Sequence, residues 1–287
     1  MAVSADRRRD PVKTVLHTSP NDYASPMATK SNSESDNPQT DGSENAGTAH
    51  PDVPVGKAPS DTARAKLPSV GIVGGTGPAG SALAVRLASV GMEVVLGSRS
   101  KYRAMEIVDG VLAEWPDHDL EIVAGDNDDA AKADIVVIAT PWAAAAITAR
   151  SVAEHVSGKV VITMANALTR VGDEFIPLIP PRGSVAASVQ AMVPDARVAA
   201  AFQHVPAHEL GDLRNPINSD VLICSDHRSA VDAVTELVKH VPSFRALDCG
   251  ELSNATAIEA FTAVLLQLNV RYKTRVELNL LGIPDSV

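Results

Sequence analysis

Gly75-Thr76-Gly77-Pro78-Ala79-Gly80 sets three glycines at the spacing G-x-G-x-x-G, between an apolar run ending at Val73 and a helix-like run. That spacing suits the capture of a pyrophosphate. Gly75 makes a tight turn, Gly77 lets the backbone approach the phosphates, and Gly80 lets helix and strand pack closely. Free N–H groups at the helix start, including those near Thr76 and Ala79, and the positive end of the helix dipole attract the anion. Pro78 lacks an N–H but stands in the first helical turn, where that donor has no partner in any case. The match counts because a strand precedes the turn, a helix follows it, and a second strand arrives within some thirty residues.

That second strand ends in Gly97-Ser98-Arg99. An NAD site carries Asp or Glu there to accept hydrogen bonds from the ribose hydroxyls, and such a carboxylate repels a 2′-phosphate. Along the sequence the only nearby acid is Glu93, at the wrong end of the strand. Ser98 offers a hydroxyl and Arg99 a fork matched to phosphate. A helix starting near Arg99 puts Arg103 one turn further along the same face, with Lys101 close by. The expected cofactor is therefore NADP(H); a solvated basic helix start is the plainer alternative.

Other residues with chemical capacity fall at strand ends. In IATPW, Pro141 and Trp142 can wall the nicotinamide side of a cleft, or Trp142 can simply be core. Asn166, in TMANALTR, can hold a carboxamide or close a turn, and AFQHVPAHE supplies Gln203, His204 and His208. No Ser-x-x-x-Lys or Tyr-x-x-x-Lys pair follows the fingerprint at the spacing a carbonyl reductase needs, and the final helical stretch holds only Lys273. With no evident proton donor, the inventory favours a hydride exchange that depends on orientation.

These residues need a scaffold of alternating elements. Apolar strand candidates lie at 69–73, 92–97, 120–124, 134–140, 159–164, 197–202, 220–225 and 244–249, and helix-like stretches at 77–90, 99–114, 143–156, 184–193 and 227–240. The alternation predicts an α/β, Rossmann-type doubly wound and mostly parallel sheet. From Asn254 to about Leu281 apolar residues recur at helical spacing, predicting one long or two short C-terminal helices capped by Ser253 or Asn254. Residues 1–66 are dominated by Ser, Thr, Asn, Asp, Pro and Gly and are expected to be a disordered tail. The expected division is thus a tail at 1–66, an NADP-binding domain at 67–250 and a helical segment at 251–287 covering the cleft.

Composition narrows the partners. A net charge of −10 over 287 residues argues against nucleic acid. No apolar run approaches the roughly twenty residues of a membrane span, and the Arg7-Arg8-Arg9 cluster is not followed by the apolar segment of an export signal. The expected setting is cytoplasmic. Cys224 and Cys249 are too few for a disulfide framework and lack metal-ligand spacing, so they read as reduced thiols, with no metal expected.

Taken together, GIVGGTGPAGSALAVRLASVGMEVVLGSRS, ADIVVIATPW, the QHVPA loop, DVLICSD and LDCGELSNATAIEAFTAVLLQLN resemble the NADPH-dependent reductases of the deazaflavin coenzyme F420 from about Val70 to Ile283. The resemblance implies hydride transfer between NADPH and F420, with Thr76, Ser98, Arg99 and Arg103 near the 2′-phosphate and Pro141 and Trp142 along the cofactor cleft. It also implies a deazaflavin between the QHVPA loop, with Gln203 and His204 orienting it, and the C-terminal helices, which would form a homodimer contact. Gln203 stands where members of that family often have histidine, and Asn166-Ala167-Leu168 replaces a proline-containing turn. An imine or 2-hydroxyacid reductase of the pyrroline-5-carboxylate reductase or hydroxyisobutyrate dehydrogenase kind, and a non-catalytic NADPH sensor, are the competing readings.

Overall fold

The computed structural model describes residues 67–284; the expected tail at 1–66 lies outside the described residues. Strands β1 (Val70–Val73), β2 (Val94–Ser98), β3 (Ile122–Asp126), β4 (Ile135–Ile138), β5 (Val160–Thr163) and β8 (Arg197–Ala200) form one parallel sheet in the order β3-β2-β1-β4-β5-β8. That is the Rossmann order, with its reversal between β1 and β4. Helices α1 (Pro78–Ala88), α2 (Lys101–Glu114) and α8 (Arg228–Lys239) cover one face. The other is covered by α4 (Trp142–Ser151), α5 (Ala153–Val156) and α6 (Val185–Met192).

Burial on both faces explains why the strands read as continuous apolar runs instead of alternating ones. In β1, β4 and β5 every residue is buried, and successive side chains feed opposite cores: Ile135 and Val137 join Leu83, Leu87 and Val234, whereas Val136 and Ile138 join Ala145, Ala149 and Val189.

The structure departs from the sequence expectations in four places. The last two strands, β9 (Ser219–Ile223) and β10 (Phe244–Asp248), do not extend the main sheet; they pair in parallel with each other. Among the described residues they are tied to β8 by one antiparallel bridge, Ala200 to Cys224, and by the Ser225 hydroxyl, which donates to Val198 O at 2.7 Å. The connection into β9 carries only the single-turn α7 (Ala207–Gly211), too little helix for a right-handed crossover that would lay β9 beside β8. Second, the helix expected at 143–156 is broken into α4 and α5 at Val152, whose φ of −111° and ψ of 13° leave the helical region.

Third, a short helix and a hairpin had gone unread. Helix α3 (Asn127–Ala131) is fixed by a capping box: the Asp126 carboxylate accepts from the Asp129 amide at 2.8 Å, and Asp129 accepts from the Asp126 amide at 3.3 Å. The antiparallel pair β6 (Leu168–Val171) and β7 (Glu174–Pro177) turns at Gly172. Fourth, helix α9 (Ala255–Tyr272) stops well short of Leu281. Lys273 turns left-handed with φ 50°, the Thr274 amide donates to Asn269 O, and the Asn269 side chain takes the Val276 amide at 2.7 Å. The chain then runs along β9, where the Asp220 amide donates to Leu278 O at 2.7 Å and the Leu280 amide donates to the Asp220 carboxylate. Asn254 does hold the N-cap position of α9, but its side chain bonds back to Cys249 O at 2.7 Å instead of capping.

Candidate active site

The reversal between β1 and β4 brings together two loops that the sequence had separated. A Cβ on Gly74 would sit 2.2 Å from Thr140 Cγ2, so the glycine turn and the Thr140-Pro141-Trp142 corner are in direct contact at the carboxyl edge of the sheet. A Cβ on Gly80 would lie 2.7 Å from the Gly75 backbone, which is the close packing expected of the third glycine. Around Gly77, by contrast, a Cβ would meet nothing within 4 Å. The first intrahelical bond of α1 runs from the Ser81 amide to Gly77 O at 3.0 Å. The amides ahead of it in α1 therefore point out of the helix without an intrahelical acceptor.

Two residues that the sequence reading passed over support this turn. Asn127 Oδ1 accepts from the Gly74 amide at 3.0 Å, and α3, which carries Asn127, packs so tightly that a Cβ on Gly71 would overlap Ala130 O at 1.7 Å. Thr140 Oγ1 is buried with no partner among the described residues. The spacing Asp126-x-x-Asp129 was a capping signal from which α3 could have been read.

At the end of β2, Ser98 is buried and its hydroxyl accepts from the Ser100 amide at 3.3 Å. Arg99 is exposed and makes no ion pair with a described residue. The expected helix start at Arg99 is corrected: Ser100 caps α2, accepting from the Arg103 amide at 3.4 Å, so Arg99 precedes the helix. Arg103 turns to Glu106 at 2.7 Å and Lys101 lies 3.7 Å from Asp129. The expectation of no nearby acid is also corrected, because the register pairs Ser98 with Asp126 on β3. The α3 cap engages that carboxylate, and Arg99 stays exposed at this strand end without an ion pair among the described residues.

Pro141 is exposed at the N-cap of α4, and Trp142 is half-buried against the core beneath that helix. Asn166 holds elements together: its Nδ2 donates to Gln203 O at 2.7 Å, and its Oδ1 accepts from the Thr262 hydroxyl of α9 at 3.2 Å. This one amide joins the end of β5, the Phe202–Val205 loop and α9.

That loop is costly in conformation. Phe202, fully buried, takes φ 66°, a region that bulky side chains rarely adopt. The Gln203 side chain is buried with neither Oε1 nor Nε2 partnered among the described residues, and unpaired buried amides cost free energy. His204 is buried, its Nε2 donates to Asp220 O at 2.6 Å, and its Nδ1 has no described partner. Burial lowers the His204 pKa, with the Asp220 contact opposing, so the ring is neutral near pH 7. His208 stays outside, exposed beside Glu209 at 3.5 Å.

Asp220 links this loop to the C-terminal segment. Its carboxylate pairs with Arg245 Nε and Nη2 at 2.7 and 2.9 Å, and Arg245 also donates to Leu280 O and Ile283 O. Burial pushes the Asp220 carboxyl up, but the guanidinium and the Leu280 amide outweigh it and hold the group below the usual carboxylate range. On α9, Glu259 accepts from the Val185 and Ala186 amides at 2.8 and 3.1 Å, anchoring α9 to the start of α6, and burial pushes its pKa up to about 7. A separate cavity of about 320 Å³, lined by Asp134, Ile135, Val160 and Arg197, opens at the amino-terminal ends of the strands, where this fold does not bind its ligand.

The strand order and the glycine turn at the reversal point define a Rossmann-type fold of the dinucleotide-binding class. A family model described as NADP oxidoreductase coenzyme F420-dependent matches residues 69–167. The F420-dependent NADP reductase of Methanocaldococcus jannaschii is 36% identical over 211 residues, covering 72% of this chain and 94% of that protein. Its counterpart from Methanothermobacter marburgensis is 37% identical over 213 residues, with the same coverage. The chain belongs to the F420-dependent NADP reductase family. A protein of Arthrobacter sp. FB24, solved under the provisional name of F420-dependent NADP reductase, shares the fold at a TM-score of 0.63 and 23% identity, covering 74% of this chain and all of that one. Among the described residues no helix is long and apolar enough to cross a membrane.

Proposed function

We propose that this chain transfers hydride between NADP(H) and the deazaflavin coenzyme F420. The observation that carries the reading is the meeting of the glycine turn with Thr140 at the β1/β4 reversal, one strand away from Ser98 and Arg99. The residues fit the cofactor: the open approach at Gly77, free amides at the α1 start, and an exposed Arg99 suit a pyrophosphate and a 2′-phosphate. Pro141 and Trp142 bound the adjoining cleft. NADPH bound along this edge would supply a hydride to a deazaflavin seated beside it.

For the chain's own residues the task is orientation. Asn166, Gln203 O and Thr262 fix the loop against α9, and neutral His204, with its proton committed to Asp220 O, is suited to holding that loop and not to shuttling protons. The loop together with α9 forms our proposed seat for the deazaflavin. Neither the imine-reductase nor the sensor reading has an observation in its favour.

The finer assignments belong to the same reading. We propose a cytoplasmic homodimer with small-molecule partners; apolar side chains exposed on α9 and the neighbouring hairpin, among them Phe261, Val264, Tyr272, Val171 and Ile176, support the self-association. The test is NADPH oxidation with F420, with pyrroline carboxylate and with no acceptor: turnover with F420 alone supports the assignment, and turnover with the imine alone overturns it.

A further inference from the structure

The chain has two cysteines, 25 positions apart in sequence, and the fold sets them side by side. The parallel register of β9 and β10 runs to Ile223 opposite Asp248, and the Cys249 amide continues the ladder by donating to Ile223 O at 2.7 Å. Cys224 and Cys249 are the next pair in that register. Both turn to the same small cluster, formed with Ala186, Ala200, Leu252 and Ala255. Neighbouring strands lie about 4.8 Å apart, inside the range of roughly 4.4–6.8 Å between Cα atoms that a disulfide spans.

The two thiols differ in the way a reactive pair requires. Cys224 is fully buried, and Cys249 is half-buried at the rim. Contact with the Cys224 thiol draws Cys249 down to about 7, while contact with Cys249 and burial push Cys224 up. The half-buried Cys249 sulfur is thus the one a peroxide can reach, and the interior Cys224 sulfur is placed to resolve it.

We propose that Cys224 and Cys249 form a peroxide-reactive thiol pair that closes to an intramolecular disulfide, with Cys249 attacking and Cys224 resolving. The Cys249 thiolate attacks the terminal oxygen of a hydroperoxide; the O–O bond breaks, an alcohol leaves after taking a proton, and Cys249 becomes a sulfenic acid. That oxidation removes the negative charge that held the Cys224 proton in place. Cys224 then attacks the Cys249 sulfur, the S–O bond breaks, and water leaves with the Cys224 proton. Two thiols and one hydroperoxide give one disulfide, one alcohol and one water.

The position gives the bond a consequence. The backbone of Cys224 exchanges both hydrogen bonds with Ala200, at 2.8 and 3.1 Å, and the Cys249 carbonyl holds Asn254 at the start of α9. A bond here locks the junction between the main sheet, the β9/β10 pair and α9.

The experiment treats the reduced full chain with hydrogen peroxide and reads intact mass and a peptide map. The expected result is a loss of about 2 Da, reversed by dithiothreitol, with one peptide joining Cys224 to Cys249. In Cys224→Ala a sulfenate trapped by dimedone is expected at Cys249, and in Cys249→Ser no modification at Cys224. Both thiols surviving peroxide, a disulfide that joins only separate chains, or sulfenate forming first at Cys224 would each overturn the proposal. The wild-type mass alone decides the main point if a variant fails to fold, and it does not depend on the proposed reaction.

Discussion

His204 donates through Nε2 to the backbone carbonyl of Asp220 at 2.6 Å, while the Asp220 carboxylate grips Arg245. The only histidine of the QHVPA loop is thus tied to β9 and, through Arg245, to the segment after α9. Removing it as His204→Ala leaves the buried Asp220 carbonyl only the long 3.4 Å bond from the Ser219 hydroxyl and opens a void, at an expected stability cost of about 1–3 kcal/mol. KM for F420 should rise and kcat should fall by about tenfold or less, short of the roughly 10²–10⁴-fold expected for a lost general acid. Steady-state kinetics with both cofactors varied decide it; abolished turnover with both cofactors still bound would make His204 a proton donor.

The same burial has a pH sign. His204 titrates lower in the folded chain than its ordinary 6.5, so the unfolded chain binds the proton more tightly. Its contribution to stability is present above 6.5 and lost as pH falls below it. Chemical denaturation at several pH values should show a shallower acid-side loss for a folded His204→Asn variant than for the parent; matching slopes would refute the linkage.

Glu259 carries the opposite sign. Its pKa rises from 4.5 unfolded to about 7 folded, so its contribution is full below 4.5 and is lost as pH rises through about 7. That gap is worth about 3 kcal/mol. Relative to Glu259→Gln, the parent should lose stability across this window, as read from denaturation midpoints; parallel curves would show that the Val185 and Ala186 amides hold the carboxylate ionised.

Cofactor choice should rest on Arg99, which faces solvent without an ion pair to a described residue. Arg99→Asp turns an attraction for the 2′-phosphate into repulsion, so NADPH binding should weaken on the order of a hundredfold while NADH binding changes little. Fluorescence titration with both nucleotides measures this, and an equal loss for the two would mean a structural role.

Two glycines separate packing from ligand approach. Gly71→Ala drives a Cβ into Ala130 O and should cost about 3 kcal/mol or more, seen as a large drop in Tm. Gly77 has an ordinary φ of −82° and open space around it, so Gly77→Ala should keep Tm within a few degrees and weaken NADPH binding. A Gly77→Ala chain that binds NADPH normally would remove this glycine from the phosphate site.

The sequence by itself determined the Rossmann body and the glycine turn at its reversal point. Strands buried on both faces must be nearly all apolar, and a turn that brings a backbone to a phosphate must be glycine where Gly75 and Gly80 touch, so both demands are written in residue type. Only the tertiary structure decided the rest. Helical spacing continued past Tyr272, but Asn269 and Asp220 offered the backbone better partners, and the helix ended. The apolar run at β9 was legible as a strand, whereas its partner was not, because pairing follows the length of the connection and not the strand's own residues. For the same reason Asn166 met Thr262, Ser98 met Asp126 and Cys224 met Cys249. These contacts join residues far apart in the chain, and local propensity holds no information about which distant strand or helix will arrive beside them.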